Sequence, residues 1–325
     1  MHEEISIIIM QKNISHRDIA MLRRCLLSVT AAWKPKRYEV IVVSPHTEKL
    51  KRLLKDFRLN LKYVRDEGRG IGAARNTAIK KARYSIVSFV DPDSVVGTSH
   101  FRRILDTFKI DPCIGLVGVK GIQLQRWIKT LNSLQILEYM TRCRNGKNHF
   151  CDQRAVIKDI AFVTGTFLSF RRKVFDDIGG FWTYPPFGAD DMDFSLRAYL
   201  KKWKIAIIKV PGSMHFPRES LMEIWREQYG WGFGFGFLTM KYRGRVEPWF
   251  FWRSSKFLYR FLPSSLRFTI PLLRFLFTPF RTLTYALRLR NISLIPYMTF
   301  KRFAFLSGYI SALRKYKKIL VAKKI

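Results

Sequence analysis

In the stretch SIVSFVDPDSVVG, residues 85–97, a run of strand-forming residues ends in two carboxylates, Asp91 and Asp93, with a proline between them. Two acids at i and i+2 across a turn can both point into one cleft. Hard divalent cations such as Mg2+ and Mn2+ take oxygen ligands and commonly bind through one or two carboxylates plus a substrate's phosphates. Asp and Pro also favour turns for purely local reasons, so the pair alone leaves two readings open. The segment before it, DEGRGIGAARN (66–76), is a glycine-rich turn opening a helix. Free N–H groups at a helix N-terminus attract phosphate. Its glycines are spaced GxGxG, follow the third strand, and so do not make the GxGxxG dinucleotide fingerprint. Arg75 and Asn76 fall in the first turn of that helix. A second acidic cluster is GADDMDFSLR (188–197). Asp190 and Asp191 stand at a helix start, where carboxylates cap and meet the dipole. Asp193 and Arg197 are i,i+4 partners. Capping and one ion pair account for Asp190 and Asp193 but leave Asp191 on a different face, where a carboxylate can act as a general base.

Such residues need a scaffold, and the first 125 residues supply one. Short β-branched runs (5–10, 39–44, 61–66, 85–91, 114–121) alternate with helical spacings (17–32, 47–57, 71–82, 99–109). That alternation predicts an α/β fold, a mostly parallel sheet with helices on both faces. Ligands of such sheets bind beyond the carboxyl ends of the strands, which is where Asp91 and Asp93 lie. The stretch 122–215 is less regular and ends with a helix over 190–203 and a strand over 204–210.

The chain has 325 residues, 48% of them hydrophobic, enough to bury a real core and to exclude a disordered chain. The four cysteines, Cys25, Cys113, Cys143 and Cys151, show neither CxxC spacing nor a Cys/His zinc cluster, and read as free thiols of a reducing compartment. The opening MHEEISIIIM is too short and too acidic to read as a signal peptide. The net charge of +35 is uneven: the last 78 residues hold 16 lysines and arginines and no acid. That asymmetry implies an anionic partner: a membrane surface, nucleic acid or an acidic polymer.

Taken together and in order, these motifs resemble a family 2 glycosyltransferase with the GT-A fold. The strand ending in D-x-D is Asp91-Pro92-Asp93, preceded by GRGIGAARN. A small-residue motif leads into VTGTFLSFRRKVFDDIGGF, the family's acidic helix matches ADDMDFSLR, and a final histidine matches GSMHF. The resemblance covers about 4–245. It implies an inverting enzyme that uses a nucleotide-sugar donor and a divalent metal, Mg2+ or Mn2+. Asp91 and Asp93 then lie at the ribose and metal-diphosphate side of the donor, with Gly70, Gly72 and Arg75 also toward the donor. His215 joins Asp93 at the metal, Asp191 is the base that deprotonates the acceptor hydroxyl, and Gly165, Thr166 and Asp190 line the acceptor and sugar side. The chain departs from the family pattern in three places. Ser44 and Pro45 replace the acids that usually end the second strand and read the base, Asp190 replaces a glutamate, and the Q-x-x-R-W motif of processive synthases is absent where EQYGWGFGFG (227–236) stands. A processive polymerase is therefore not expected.

The sequence thus divides into a catalytic domain, 1–245, and a basic, aromatic-rich helical region, 246–325. In the latter, arginines recur every seven residues, at 253, 260, 267, 274, 281 and 288, among Phe, Leu, Tyr and Trp. On helices this makes a cationic stripe opposite an apolar face, the mark of an interfacial segment. Pro263, Pro271 and Pro279 predict several short helices, and the longest uncharged run nearby, FAFLSGYISAL (303–313), is short of a span. The expectation is a peripheral protein on the cytoplasmic face of an anionic membrane, acting on a lipid-linked or glycan acceptor, with snorkelling arginines permitting a membrane-inserted hairpin as the alternative. Two rivals are a nucleic-acid-binding protein, suggested by a pI near 10.4, and a non-catalytic sugar-nucleotide binder on the same fold. A pure nucleic-acid binder has no use for carboxylates at strand ends beside a phosphate site, so no nucleic-acid partner is expected.

Overall fold

Five of the seven residues of β1 (Glu4–Met10) are fully or almost fully buried, and the strand is flanked by two parallel neighbours. A strand covered on both faces reads as a continuous apolar run, and this one does. In the computed structural model, which describes residues 4–57, 59–122, 131–142, 156–157, 163–183, 188–242, 262–263, 266, 269, 273 and 276–322, the chain forms two units.

The first unit is an α/β sandwich. Its elements are β1, α1 (His16–Ala31), β2 (Arg37–Ser44), α2 (Thr47–Leu53), β3 (Leu61–Arg65), α3 (Ile71–Lys81), β4 (Ile86–Val90), β5 (Ser94–Val95), α4 (His100–Ile110), β6 (Ile114–Ile122), β7 (Val156–Ile157), β8 (Leu168–Arg171), α6 (Arg172–Ile178), α7 (Asp190–Leu200), β9 (Lys204–Pro211) and β10 (Met214–His215). Eight strands form one sheet in the order β3-β2-β1-β4-β8-β6-β9-β7. Only β8 and β7 run against the rest, so the mostly parallel α/β sheet expected from the sequence is what the structure shows. β8, which the sequence left in an irregular region, is wedged antiparallel between β4 and β6, where Ser88 and Ser169 pair in register and their hydroxyls hydrogen-bond at 2.8 Å. Two apolar layers cover the sheet faces. One is built around Ile7, Leu22, Val42 and Phe101, the other around Ile8, Ala78, Phe89 and Phe170. α1 begins with a capping box in which the Ser15 hydroxyl accepts from the Asp18 N–H and the Asp18 carboxylate accepts from the Ser15 N–H.

The second unit holds α5 (Ser133–Arg142), α8 (Leu221–Lys241), α9 (Thr278–Arg288) and α10 (Leu294–Ala322). The division falls after Phe216, so α8 groups with the basic region rather than with the catalytic domain as the sequence division at 245/246 had it. α8 and α10 meet through small residues. A Cβ on Gly232 would lie 1.8 Å from the Phe305 carbonyl oxygen, and one on Gly308 would lie 2.0 Å from that of Tyr229. α5 is tied to α10 by buried Glu138, which accepts from the Tyr297 hydroxyl at 2.6 Å and from Lys301. The end of the chain is one helix of 29 residues, whose Pro296 falls in the first turn, where no N–H is needed. The stretch from Pro263 to Pro279, where several short helices are expected, lies in large part outside the described residues. Arg253, Arg260, Arg267, Arg274 and Pro271 lie outside the described residues, as do Cys143 and Cys151, and the side chain of Arg281 is likewise not described. Cys25 is a buried free thiol and Cys113 an exposed one. Among the described residues no helix is long and apolar enough to cross a membrane.

Candidate active site

β4 is buried along its whole length, so Asp91 leaves the sheet from its centre. Three groups fix the strand end. The Asp91 N–H donates to the Thr166 carbonyl at 3.2 Å, the Thr166 side chain hydrogen-bonds the Asp91 carboxylate, and the Cys25 thiol donates to the Asp91 carbonyl, with Sγ to O 3.6 Å. Asp93 follows one turn residue later, immediately before β5. That two-residue strand pairs antiparallel with β10, with His215 opposite Ser94. The Phe216 N–H adds a bond to the Asp93 carbonyl at 3.0 Å. This small ladder is what carries His215, 122 positions further along the sequence, to within 3.2 Å (Nε2 to Oδ1) of Asp93.

Asp91, Asp93 and His215 thus offer three ligand atoms, all within 4.8 Å of one another. Two carboxylates and one imidazole suit a divalent metal ion. Burial pushes the Asp91 carboxyl above its ordinary range, Asp93 pushes it further, and His215 and Arg75 oppose them. Two acids held this close repel each other, and a cation between them relieves that repulsion. The residues present therefore fit a metal.

Asp191 opens α7. Its Oδ2 accepts from the Gly165 N–H at 2.6 Å and its Oδ1 from the Met192 N–H at 2.8 Å. Gly165 and Thr166 are consecutive residues of a 3-10 turn (Gly165–Phe167). One holds Asp191 and the other holds Asp91, so a single turn sets the two acids against each other. Both side-chain oxygens of Asp191 keep lone pairs free.

Arg75 is buried. The sequence put it at the donor; in the structure its guanidinium is 3% exposed and paired with buried Asp190. It rests over the rings of Phe89 and Phe181, 5.3 Å from each centroid, in an aromatic group where Phe181 stacks on Phe194 at 4.0 Å. Burial alone would lower the guanidinium's pKa, but Asp190, Asp191 and Asp91 outweigh it and raise it, so the charge is retained. Burial lifts the Asp190 carboxyl to about 6, with Arg75 opposing and Asp191 assisting. Asp190, expected on the acceptor side, is committed to Arg75. Gly165 must be glycine for the same reason, since a Cβ there would lie 2.1 Å from the Arg75 guanidinium. The sequence signal for this pairing was absent because Arg75 and Asp190 are 115 residues apart.

The glycine-rich turn places Gly70 at the cap of α3 with φ of 101°, a conformation that favours glycine. Gly72 faces protein: a Cβ there would meet the Trp182 carbonyl oxygen at 2.0 Å. Its lack of a side chain therefore serves helix-to-loop packing. Ser44 ends β2 fully buried and accepts from the His46 N–H at 3.1 Å. Sequence reasoning missed half-buried Asp66, at the end of the adjacent strand, whose N–H donates to the Ser44 carbonyl at 3.0 Å. It also missed Cys25. Asp193 and Arg197 form the expected pair at 2.7 Å, with Arg197 also donating to the carbonyls of Ile178 and Gly180.

Residues 6–179 match the family model described as "Glycosyl transferase family 2", a span that includes Asp91 and Asp93 and ends before Asp191 and His215. Among curated proteins, poly-beta-1,6-N-acetyl-D-glucosamine synthase of Staphylococcus aureus is 23% identical over 212 residues, 64% of this chain and 50% of that protein. Beta-monoglucosyldiacylglycerol synthase of Synechocystis sp. is 24% identical over 209 residues, 61% of this chain and 41% of that protein. The chain therefore spans about half the length of the curated relatives it matches. Among solved structures, a mannosyltransferase of Pyrobaculum calidifontis in complex with GDP-Man and Mn2+ has a TM-score of 0.61 at 16% identity, covering 96% of this chain and 88% of that one. That likeness concerns the fold.

Proposed function

Because the chain belongs to glycosyl transferase family 2, we propose that it is an inverting glycosyltransferase. It moves a sugar from a nucleotide-diphosphate donor to a hydroxyl of a lipid-linked or glycan acceptor at a membrane surface. The observation that carries this reading is the pairing of two differently built acid sites by one turn. Asp91 and Asp93 with His215 form a metal-type cluster, while Asp191 is held apart from it by the Gly165 N–H.

Asp93, His215 and Asp91 would hold the divalent ion, which when bound supplies positive charge to a departing diphosphate. Asp191 takes the proton from the acceptor oxygen as that oxygen attacks, and its two backbone hydrogen bonds keep the carboxylate in one orientation for the task. Arg75 and Asp190 lie beneath as a support, filling the space that a side chain on Gly165 would need. The acid-free cationic region supports a membrane-side setting. A lipid acceptor is in keeping with one relative being, by name, a beta-monoglucosyldiacylglycerol synthase.

The test is a thermal-shift and calorimetry screen of GDP- and UDP-sugars with and without Mn2+. Stabilisation by at least one donor only with metal, lost in Asp93→Ala, is expected. Unchanged donor affinity with and without metal would remove the metal assignment. Donor binding without transfer or hydrolysis by the wild-type chain would leave a non-catalytic sugar-nucleotide binder.

A further inference from the structure

Surface helices of soluble proteins normally bury large apolar residues and expose polar ones. α9 does the reverse. Its inward face is small: Thr278, Thr282 and Ala286 are buried, Thr282 completely. Phe280, Leu283 and Leu287 follow helical spacing on the other side and stand in solvent, Phe280 at 72% and Leu287 at 69% exposure. The ridge is continued by Leu276 just before the helix, 67% exposed, and Ile292 just after it, 79% exposed. Single exposed apolar residues need no explanation, but a contiguous ridge of this kind marks an interaction surface.

The charge around the ridge selects the partner. Arg288 and Arg290 are exposed at its C-terminal end, and no acid occurs anywhere from 248 to 325. A symmetric dimer through this face would set the same cationic, acid-free surface against itself. An anionic bilayer offers what the ridge and its rim both require, acyl chains for the first and headgroups for the second.

We propose that α9 lies in the plane of an anionic membrane, with Leu276, Phe280, Leu283, Leu287 and Ile292 seated at the acyl boundary and Arg288 and Arg290 at the headgroups. This rests on the membrane-side reading above and adds to it the inserting element and a mode of binding that is only partly electrostatic. Salt screens the arginines, since the screening length falls from about 10 Å at ~0.1 M to about 3 Å at ~1 M. It does not weaken apolar burial.

The experiment uses the full chain and vesicles of phosphatidylglycerol or phosphatidylcholine, sedimented at both salt concentrations. The variants are Phe280→Ser/Leu283→Ser/Leu287→Ser, whose side chains face solvent so that the melting curve is retained, and Arg288→Gln/Arg290→Gln. Wild type is expected to keep a substantial part of its phosphatidylglycerol binding at high salt. The serine variant should lose on the order of 30- to 100-fold in partitioning at both salts, the scale of three partly exposed apolar side chains. The glutamine variant should lose binding mainly at low salt. If wild type binds but is released completely by high salt, or the serine variant binds like wild type, α9 is not the inserting element while the membrane-side reading stands. If wild type binds neither vesicle, both fall, and light scattering then shows whether the serine variant abolishes a dimer formed through the ridge. The transferase reading is scored separately, by donor hydrolysis in the absence of vesicles.

Discussion

Gly165 joins the chemistry to its support: its N–H orients Asp191 while its missing side chain leaves room for Arg75. Gly165→Ala forces either the guanidinium or the turn to move. Arg75 is pinned by Asp190, so the turn is expected to give way, and Asp191 with it. A displacement near 1 Å at a catalytic group can cost about 100-fold; kcat should fall by that order while donor affinity, read by calorimetry, changes little. Asp191→Asn removes the base outright, and kcat should drop by roughly two to four decades with donor binding retained. If Asp190→Asn abolished turnover while Asp191→Asn stayed active, the base would be Asp190. Arg75 tests differently, because both members of its pair are buried. Removing one partner of a buried pair costs about 3–5 kcal/mol, whereas replacing both with apolar groups is often neutral. Arg75→Met should therefore melt early in denaturant, and Arg75→Met/Asp190→Leu should regain most of the loss.

At the scale of elements, the site depends on the two-residue pairing of β5 with β10. Ser213 buttresses it from behind, its hydroxyl accepting from the Gly97 N–H at 3.0 Å and lying 2.8 Å from His100 Nδ1. His100 is fully buried, and burial drives its pKa down to about 3, so it stays neutral. Ser213→Ala leaves these groups unsatisfied at a cost of about 1–3 kcal/mol. It should also weaken Mn2+ affinity severalfold in calorimetry, although Ser213 is no ligand. A loss of stability with metal affinity unchanged would mean that the pairing does not position His215. The same element shows what the sequence could and could not reveal. The parallel strands were legible because each is a β-branched run bounded by turns, and Asp91 was legible because β4 ends abruptly. β8 was not, since LSFR is short and its place between β4 and β6 is set by pairing. His215 was legible only by resemblance: no local pattern announces that Met214 will pair with Val95. The burial of Arg75 was not legible, since only the aromatic floor and Asp190, far along the sequence, draw it inward.

Across the whole molecule, charge and apolar surface act on different terms. A chain with net charge +35 attracts any polyanion, duplex DNA included. Such attraction comes from counterion release, is indifferent to base sequence, and falls steeply with salt. It tells nothing of function unless it is set against a surface that salt cannot dismiss, and the exposed ridge of α9 is one. Wild-type chain is therefore expected to bind unrelated DNA duplexes equally at low salt and to release them all by ~0.5 M, while phosphatidylglycerol vesicles still retain it. Turnover on an acceptor embedded in vesicles should rise with the fraction of anionic lipid, because each cation near such a surface contributes about 1 kcal/mol to local concentration. Excess duplex DNA should lower that turnover at low salt by competing for the cations, and should leave donor hydrolysis in free solution unchanged. Filter binding with two unrelated duplexes, run beside the vesicle assay, decides the matter. A duplex preferred by two decades or more and still held at ~0.5 M salt would make nucleic acid the partner of the basic region and leave the anionic bilayer without a role.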